Sequence, residues 1–289
     1  MTHSQAFAIV GFVSAIIAIL TPHGLKEAPY TVDSLADAGC KEPEGVYEIT
    51  RTYPGQRVLL LDAHLDRLEN SARLENIPCQ LDREAVRGAI RRLLQQAGFQ
   101  IARLRLTVAG IQPDQVIIAL ESYDDIVRQL KDLRVRGVIT STRVVQRRNP
   151  AAKTNDWVRQ REAVRAGLPD EVYEVIIMDP ANRLLEGFSS NFYAIMRGKL
   201  FTAEKNMLPG IARQVLLQVA TQVLPVELNP VYLSQVSALD EAFLTSSGRG
   251  VVPIVRIDDQ VIGDGRPGPY TRSLMSQFDA WVGKNLEFL

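Results

Sequence analysis

The chain has 289 residues, 33 basic against 33 acidic side chains, and an apolar share of 46%. A net charge of zero argues against a nucleic-acid binder, which carries a basic excess or stripe. The apolar share suffices for the core of one large or two medium domains.

Cys40 and Cys79 are the only cysteines, and the three histidines form no metal-binding spacing with them. No metal site is therefore expected, and a reduced cysteine pair points to the cytoplasm. The first apolar stretch, Ala6 to Leu20, is shorter than the ~20 residues that span a bilayer, and no lysine or arginine precedes it. It predicts one or two buried strands and no membrane partner. Val46 to Arg51 alternates as a strand, Gly55 turns the chain, and Arg57 to Leu61 reads as a second strand. His64 to Leu74 has helical periodicity. Asp82 to Ala97 is an amphipathic helix with Asp82 as N-cap and Gly98 as stop. Arg103 to Val108 and Gln115 to Leu120 pair around a turn at Gly110 to Asp114.

Ser122 to Leu133 is charged, lacks a strand pattern and reads as a connection between domains. It suggests a small N-terminal domain over 1–128, a connection over 129–136 and a larger domain over 137–289. In the second part Gly137 to Val145, Val172 to Met178 and Asn191 to Met196 are strand-like. So are Asp240 to Ser246 and Val251 to Ile257, on either side of Ser247-Gly248-Arg249-Gly250. Asp156 to Ala166, Ile211 to Val223 and Tyr270 to Val282 are helical. Without regular strand–helix–strand alternation, the class is α+β.

Three features carry chemistry. Lys153 follows Pro150-Ala151-Ala152, and a lysine amine with a lowered pKa can condense with an aldehyde. Glu186 follows two leucines, where a buried carboxylate needs a partner such as a protonated pyridine nitrogen. Leu208-Pro209-Gly210-Ile211-Ala212-Arg213 opens a helix whose first N–H groups suit a phosphate. Arg67 could clamp that phosphate with two hydrogen bonds, and Ser246 and Ser247 could donate hydroxyls from another loop.

These residues resemble the class IV pyridoxal phosphate (PLP) aminotransferases of fold type IV. That family includes branched-chain and D-amino-acid aminotransferases and aminodeoxychorismate lyase. The resemblance runs from about Tyr30 to the C-terminal helix and is carried by Gly45-Val46-Tyr47-Glu48, His64-Leu65-Asp66-Arg67-Leu68, Glu186-Gly187-Phe188-Ser189-Ser190-Asn191 and Leu208 to Arg213. It implies a small N-terminal α/β domain, a larger C-terminal pseudo-barrel domain, PLP between them, and a homodimer. It implies Lys153 as the Schiff-base lysine and proton shuttle, with Glu186 on the pyridine nitrogen. It puts Arg67, Ile211, Ala212 and Ser247 on the phosphate, joined by Ser190, Asn191, Gly210 and Ser246 around the cofactor. Tyr47, Trp157 and Gly248 fall on the substrate side, with Arg51, Arg103 and Arg105 as candidate carboxylate anchors. The reaction implied is amino transfer between a branched-chain L- or D-type amino acid and a 2-oxo acid.

The chain departs from the pattern where Arg103 to Gly110 lacks the Arg-Gly pair that often shapes the family's carboxylate pocket. It also departs at Thr154-Asn155-Asp156-Trp157, which matches no well-known subgroup. A PLP lyase releasing pyruvate and a non-catalytic PLP-fold binding protein are the alternatives.

Overall fold

The computed structural model describes residues 15–289, so the predicted strand over Ala6 to Leu20 is seen only from Ala15; its first part lies outside the described residues. The first half of the chain runs β1 (Ala15–Thr21), β2 (Gly24–Glu27), α1 (Leu35–Lys41), β3 (Gly45–Tyr53), β4 (Arg57–Leu59), α2 (Leu61–Leu74), α3 (Arg83–Ala97), β5 (Ala102–Ala109), β6 (Gln112–Ser122) and α4 (Asp124–Arg136). The second half begins β7 (Val138–Val144), α5 (Asn155–Arg165), β8 (Val172–Met178), β9 (Leu184–Gly187), β10 (Asn191–Met196), β11 (Lys199–Phe201), α6 (Ile211–Ala220) and β12 (Val226–Glu227). A 3-10 helix (Leu233–Ala238) leads to β13 (Glu241–Ser246), β14 (Gly250–Ile257), β15 (Gln260–Val261), α7 (Pro269–Lys284) and β16 (Leu286–Phe288).

Two sheets organise these elements. The first has seven strands in the order β16-β4-β3-β5-β6-β1-β2. Its core takes Leu61, Leu65, Leu68 and Ala72 from α2 and Val86, Ile90, Leu93 and Leu94 from α3. Those positions recur every three to four residues, as helices lying on a sheet require. Asp82 caps α3 by accepting from the Ala85 N–H at 2.9 Å, and Gly98 ends it in the left-handed conformation, as its sequence predicts.

The second sheet has nine strands and closes on itself. β9 pairs with both β8 and β10, so β10-β13-β14-β7-β8-β9 forms a ring. The strand period of two distributes its side chains. Phe192, Ala194, Ala242 and Leu244 join a cluster that draws on all six strands. Tyr193, Ile195 and Phe243 point the other way, into the layer formed with α6 and α7. This closed ring is the pseudo-barrel that the resemblance implies, and the class is α+β.

Two segments differ from their sequence reading. The stretch read as a domain connection is the helix α4, which joins the last central strand of one sheet to β7 of the other and buries Leu130 in the barrel-side core. The chain also does not finish in the second sheet, because β16 returns to pair with β4, with Leu286 opposite Leu59.

Candidate active site

Lys153 sits between β7 and α5, and its backbone is pinned by the first half of the chain. Its N–H donates to Ser71 Oγ of α2 at 3.2 Å, and its carbonyl accepts from the Tyr47 N–H of β3 at 2.9 Å. Its amine lies 4.7 Å from the centroid of the Tyr47 ring. Burial holds that amine below the usual lysine range, the Arg67 and Arg161 charges add to the depression, and Tyr47 and Glu48 oppose it. The Tyr47 hydroxyl is buried without a hydrogen-bond partner. Burial alone would raise this phenol, but Lys153, Arg161, Arg105 and Arg147 outweigh it and bring it down to about 7.

Glu186 is the third residue of β9 and is buried. One carboxylate oxygen accepts from Arg147 at 2.5 Å and the other from the Leu208 N–H at 2.9 Å. Burial pushes this carboxyl up, while Arg147 and the Leu208 N–H act against it. Arg147 also donates to the Ala152 carbonyl at 2.9 Å and lies 5.0 Å over the Trp157 ring. It therefore ties the glutamate to the lysine segment.

The start of α6 forms a third wall. Gly210 is its N-cap, and no side chain caps the N–H groups that follow. Those groups have no intrahelical acceptor. The helix forms because Ile211, Ala212, Val215, Leu216, Val219 and Ala220 are buried on one face. A Cβ on Gly210 would come within 2.1 Å of Asn191 Oδ1, so a larger residue there would push the Asn191 amide aside. Asn191 holds this turn by donating to the Leu208 carbonyl at 2.9 Å.

Arg67 of α2 approaches the same turn, donating to the Pro209 carbonyl at 3.1 Å. Its fork is fixed from behind by Glu48, with bonds of 2.8 and 2.7 Å, and His64 Nδ1 lies 2.9 Å from the same carboxylate. Burial would raise Glu48, but Arg67 and His64 overcome it and hold it at about 2, below its ordinary 4.5. A carboxylate depressed in the fold stabilises it above pH 4.5, and that contribution is lost as pH falls toward 2. The difference corresponds to about 3 kcal/mol. Glu48→Gln should therefore be less stable at neutral pH and show a shallower loss between pH 4.5 and 2.5 in urea-unfolding midpoints. A wild-type acid limb in that variant would refute this account.

Lys153, Tyr47, Glu186, Arg147, Arg67 and the start of α6 face one cavity of about 730 Å³, with Glu48 and His64 behind its wall. It brings together Lys153, Arg67, Glu186, Ser190, Asn191, Gly210, Ile211, Ala212, Ser246 and Ser247, with Tyr47, Arg103, Arg105, Trp157 and Gly248 on its remaining walls. Arg51 does not line it. The two-residue period puts Arg51 on the same side of β3 as Tyr47 but about 13 Å farther along, where it lies over the rings of Tyr53 and Tyr123 at 4.4 and 5.5 Å. Arg103 is paired with Glu121 at 3.2 Å. Arg105 is bound to Glu42 and to Asn155 Oδ1, both at 2.7 Å, and stacks 4.0 Å over Tyr47.

Sequence reading missed Glu48, Arg147, Glu174 and Arg249. Glu174 is buried and binds Arg249 at 3.0 Å, and Arg249 Nε in turn donates to Ser246 Oγ at 2.9 Å. Glu48 and Arg249 stand inside motifs already singled out, which was the available signal. Arg147 meets its partner across 39 residues, and nothing local marks it.

An amine with a lowered pKa, a buried carboxylate and a glycine-led helix start thus share one chamber. A family model described as Amino-transferase class IV matches residues 45–257. The chain belongs to the class IV aminotransferases. Among relatives of this class IV chain, the branched-chain-amino-acid aminotransferase of Pseudomonas aeruginosa is 28% identical over 83% of this chain and 85% of its own length. The D-alanine aminotransferase of Listeria monocytogenes serotype 4b is 25% identical over 90% and 94%. The solved structure of the T.th. branched-chain amino acid aminotransferase with pyridoxamine 5′-phosphate superposes with a TM-score of 0.75 at 20% identity, covering 94% of this chain and 98% of that one. The family uses PLP, and the relatives are named as transaminases, which favours neither the lyase nor the binding-protein alternative.

Proposed function

We propose that this class IV aminotransferase holds PLP in the 730 Å³ cavity and moves an amino group between an amino acid and a 2-oxo acid through Lys153. The observation that carries this reading is the convergence of Lys153, Glu186, Arg67 and the α6 N-terminus on that cavity. The residues fit the cofactor: helix N–H groups, the Arg67 N–H groups left over from Glu48 and Pro209, and the Ser247 hydroxyl suit its phosphate, Glu186 suits its ring nitrogen, and Lys153 suits its aldehyde. When bound, PLP supplies an electron-withdrawing ring that lowers the barrier to removing a proton from the substrate Cα.

The protein's own part is positioning and proton movement. Lys153, whose amine burial holds below the usual lysine range, can take and return that proton at Nζ. Arg147 and the Leu208 N–H fix both oxygens of Glu186, and Glu48 fixes the fork of Arg67. The Tyr47 ring lies over the amine, with its centroid 4.7 Å from Nζ, and shields that side of it from water.

The names of the relatives make branched-chain L-amino acids and D-alanine the first donors to try. The homodimer, the division into two domains joined through α4, and the cytoplasmic location belong to the same proposal. Two free cysteines suit a reducing compartment, and among the described residues no helix is long and apolar enough to cross a membrane.

The test is to add PLP to the purified protein, reduce with borohydride and map the modified peptide by mass spectrometry. Modification at Lys153 is expected. Modification spread over surface lysines, with Lys153 unlabelled, would remove the reading.

A further inference from the structure

The groups that suit the cofactor phosphate come from opposite halves of the chain. Arg67 belongs to α2, on the first sheet, while Ser246 and Ser247 belong to the end of β13 and the loop that leads to β14 in the second. Their spacing is therefore set by how the two halves are held together, and a site tolerates only about 0.5 Å of misplacement.

Tyr123 makes one such joint on the cavity wall itself. It stands between β6 and α4 and is buried. Its N–H donates to the Ile101 carbonyl at 3.0 Å, and the Arg51 guanidinium lies 5.5 Å over its ring, so the residue is fastened to the first half. Its hydroxyl crosses to the second half and donates to the Gly248 carbonyl at 2.5 Å. Burial pushes this phenol up against the Arg51, Arg103 and Arg249 charges, so it stays a donor at neutral pH. At the other end of α4, Arg134 donates to the next carbonyl, that of Arg249, at 3.0 Å and pairs with Asp279 of α7 at 2.8 Å. Gly250 follows with a left-handed φ of 64°, and a Cβ there would lie 2.3 Å from Arg134 Nη2. The glycine leaves room for that guanidinium.

The side chain of Arg249 ties the same loop to its own half, through Ser246 Oγ at 2.9 Å, Ser189 Oγ at 2.8 Å and Glu174 at 3.0 Å. The bonds from Tyr123 and Arg134 are what refer it to the first half and to α4. We propose that Tyr123 is a positioning residue, backed by Arg134, that fixes the Ser246–Arg249 loop against the first half and so sets Ser247 relative to Arg67. This rests on the PLP reading above, which puts both groups on the phosphate. Helix α4 then acts as a spacer for the cavity as well as a covalent link.

The experiment compares the wild type with Tyr123→Phe, Arg134→Gln and Arg134→Lys. Tyr123→Phe keeps the ring and removes only the hydroxyl. In the cofactor-free proteins, hydrogen exchange at the amides of residues 246–250 should speed up about three- to tenfold, the range for one lost hydrogen bond. Exchange in β3 and α6 should stay unchanged. In the PLP-loaded proteins the phosphorus NMR line of the bound cofactor should shift, and the dissociation constant for PLP should rise by about the same factor. Arg134→Gln should act in the same direction, and Arg134→Lys, which keeps a donor, should recover part of the effect. Loop exchange that is unchanged in Tyr123→Phe, or that rises equally across both sheets, would overturn the proposal. So would a loosened loop that keeps the phosphorus line and the PLP affinity of the wild type. If the wild type binds no PLP, the cofactor reading fails by itself. Exchange then decides the joint alone: loosening confined to the loop supports it, and its absence overturns it.

Discussion

Lys153→Ala should lower amino transfer by about two to four orders of magnitude, the range a positioned proton carrier contributes, while leaving the fold as stable as the wild type. The second half follows from the sign of the pKa shift. The folded chain depresses the Lys153 amine, so holding it protonated opposes folding below its folded pKa. Removing it cannot withdraw stability at neutral pH, and its backbone anchors to Ser71 and Tyr47 remain. Lys153→Arg is the sharper companion, since a guanidinium keeps the charge but cannot give up its proton. Both variants should be equally inactive in a coupled transamination assay; Lys153→Ala should keep a thermal midpoint near the wild type, and Lys153→Arg, which must hold a charge that this buried site disfavours, should fall below it. An arginine variant that retained substantial turnover would remove proton transfer at Nζ from the mechanism.

Much of this architecture was legible in the sequence, for reasons that also explain what was not. Helices α2, α3, α6 and α7 announce themselves through apolar residues at three- and four-residue spacing, and β3 through its alternation. Helix α4 carried the same signal at Ile126, Leu130 and Leu133, but its charged surroundings drew attention to a missing strand pattern instead. Helix α1 gives almost no signal, because it packs through small residues: a Cβ on Gly39 would lie 3.4 Å from the Arg105 guanidinium carbon.

The chemistry divides along the same line. Lys153, Glu186 and the turn at Gly210 are short, ordered motifs. The pairs Arg105–Glu42, Arg147–Glu186 and Arg249–Glu174 bring together residues 39–75 positions apart, and only the sheet registers and the closed ring decide which arginine meets which acid. A sequence shows the seven cavity arginines as equivalent. The fold gives Arg67, Arg103, Arg105, Arg147 and Arg249 each a carboxylate partner from another element.

Arg105→Leu should cost about 3–5 kcal/mol of stability at neutral pH, the range for stranding one member of a buried ion pair. Glu42 is fully buried, and its Oε2 receives both Arg105 Nε and Thr107 Oγ1 at 2.7 Å. Its Oε1 has no partner. Burial already pushes the Glu42 carboxyl up, with Arg105 as the largest opposing influence, so leucine at 105 would raise it further. A carboxyl raised in the fold favours the folded state below its unfolded pKa, and that support disappears as pH rises through the folded pKa. The deficit of Arg105→Leu should therefore be larger at pH 8 than at pH 5, because at pH 5 the stranded acid can take up a proton. Urea unfolding at the two pH values measures this directly. The double variant Glu42→Leu/Arg105→Leu should recover much of the loss, since a buried ion pair is often replaceable by apolar groups although neither partner can be removed alone. A single variant equally destabilised at both pH values would place the loss in packing over Tyr47 instead of in the stranded charge.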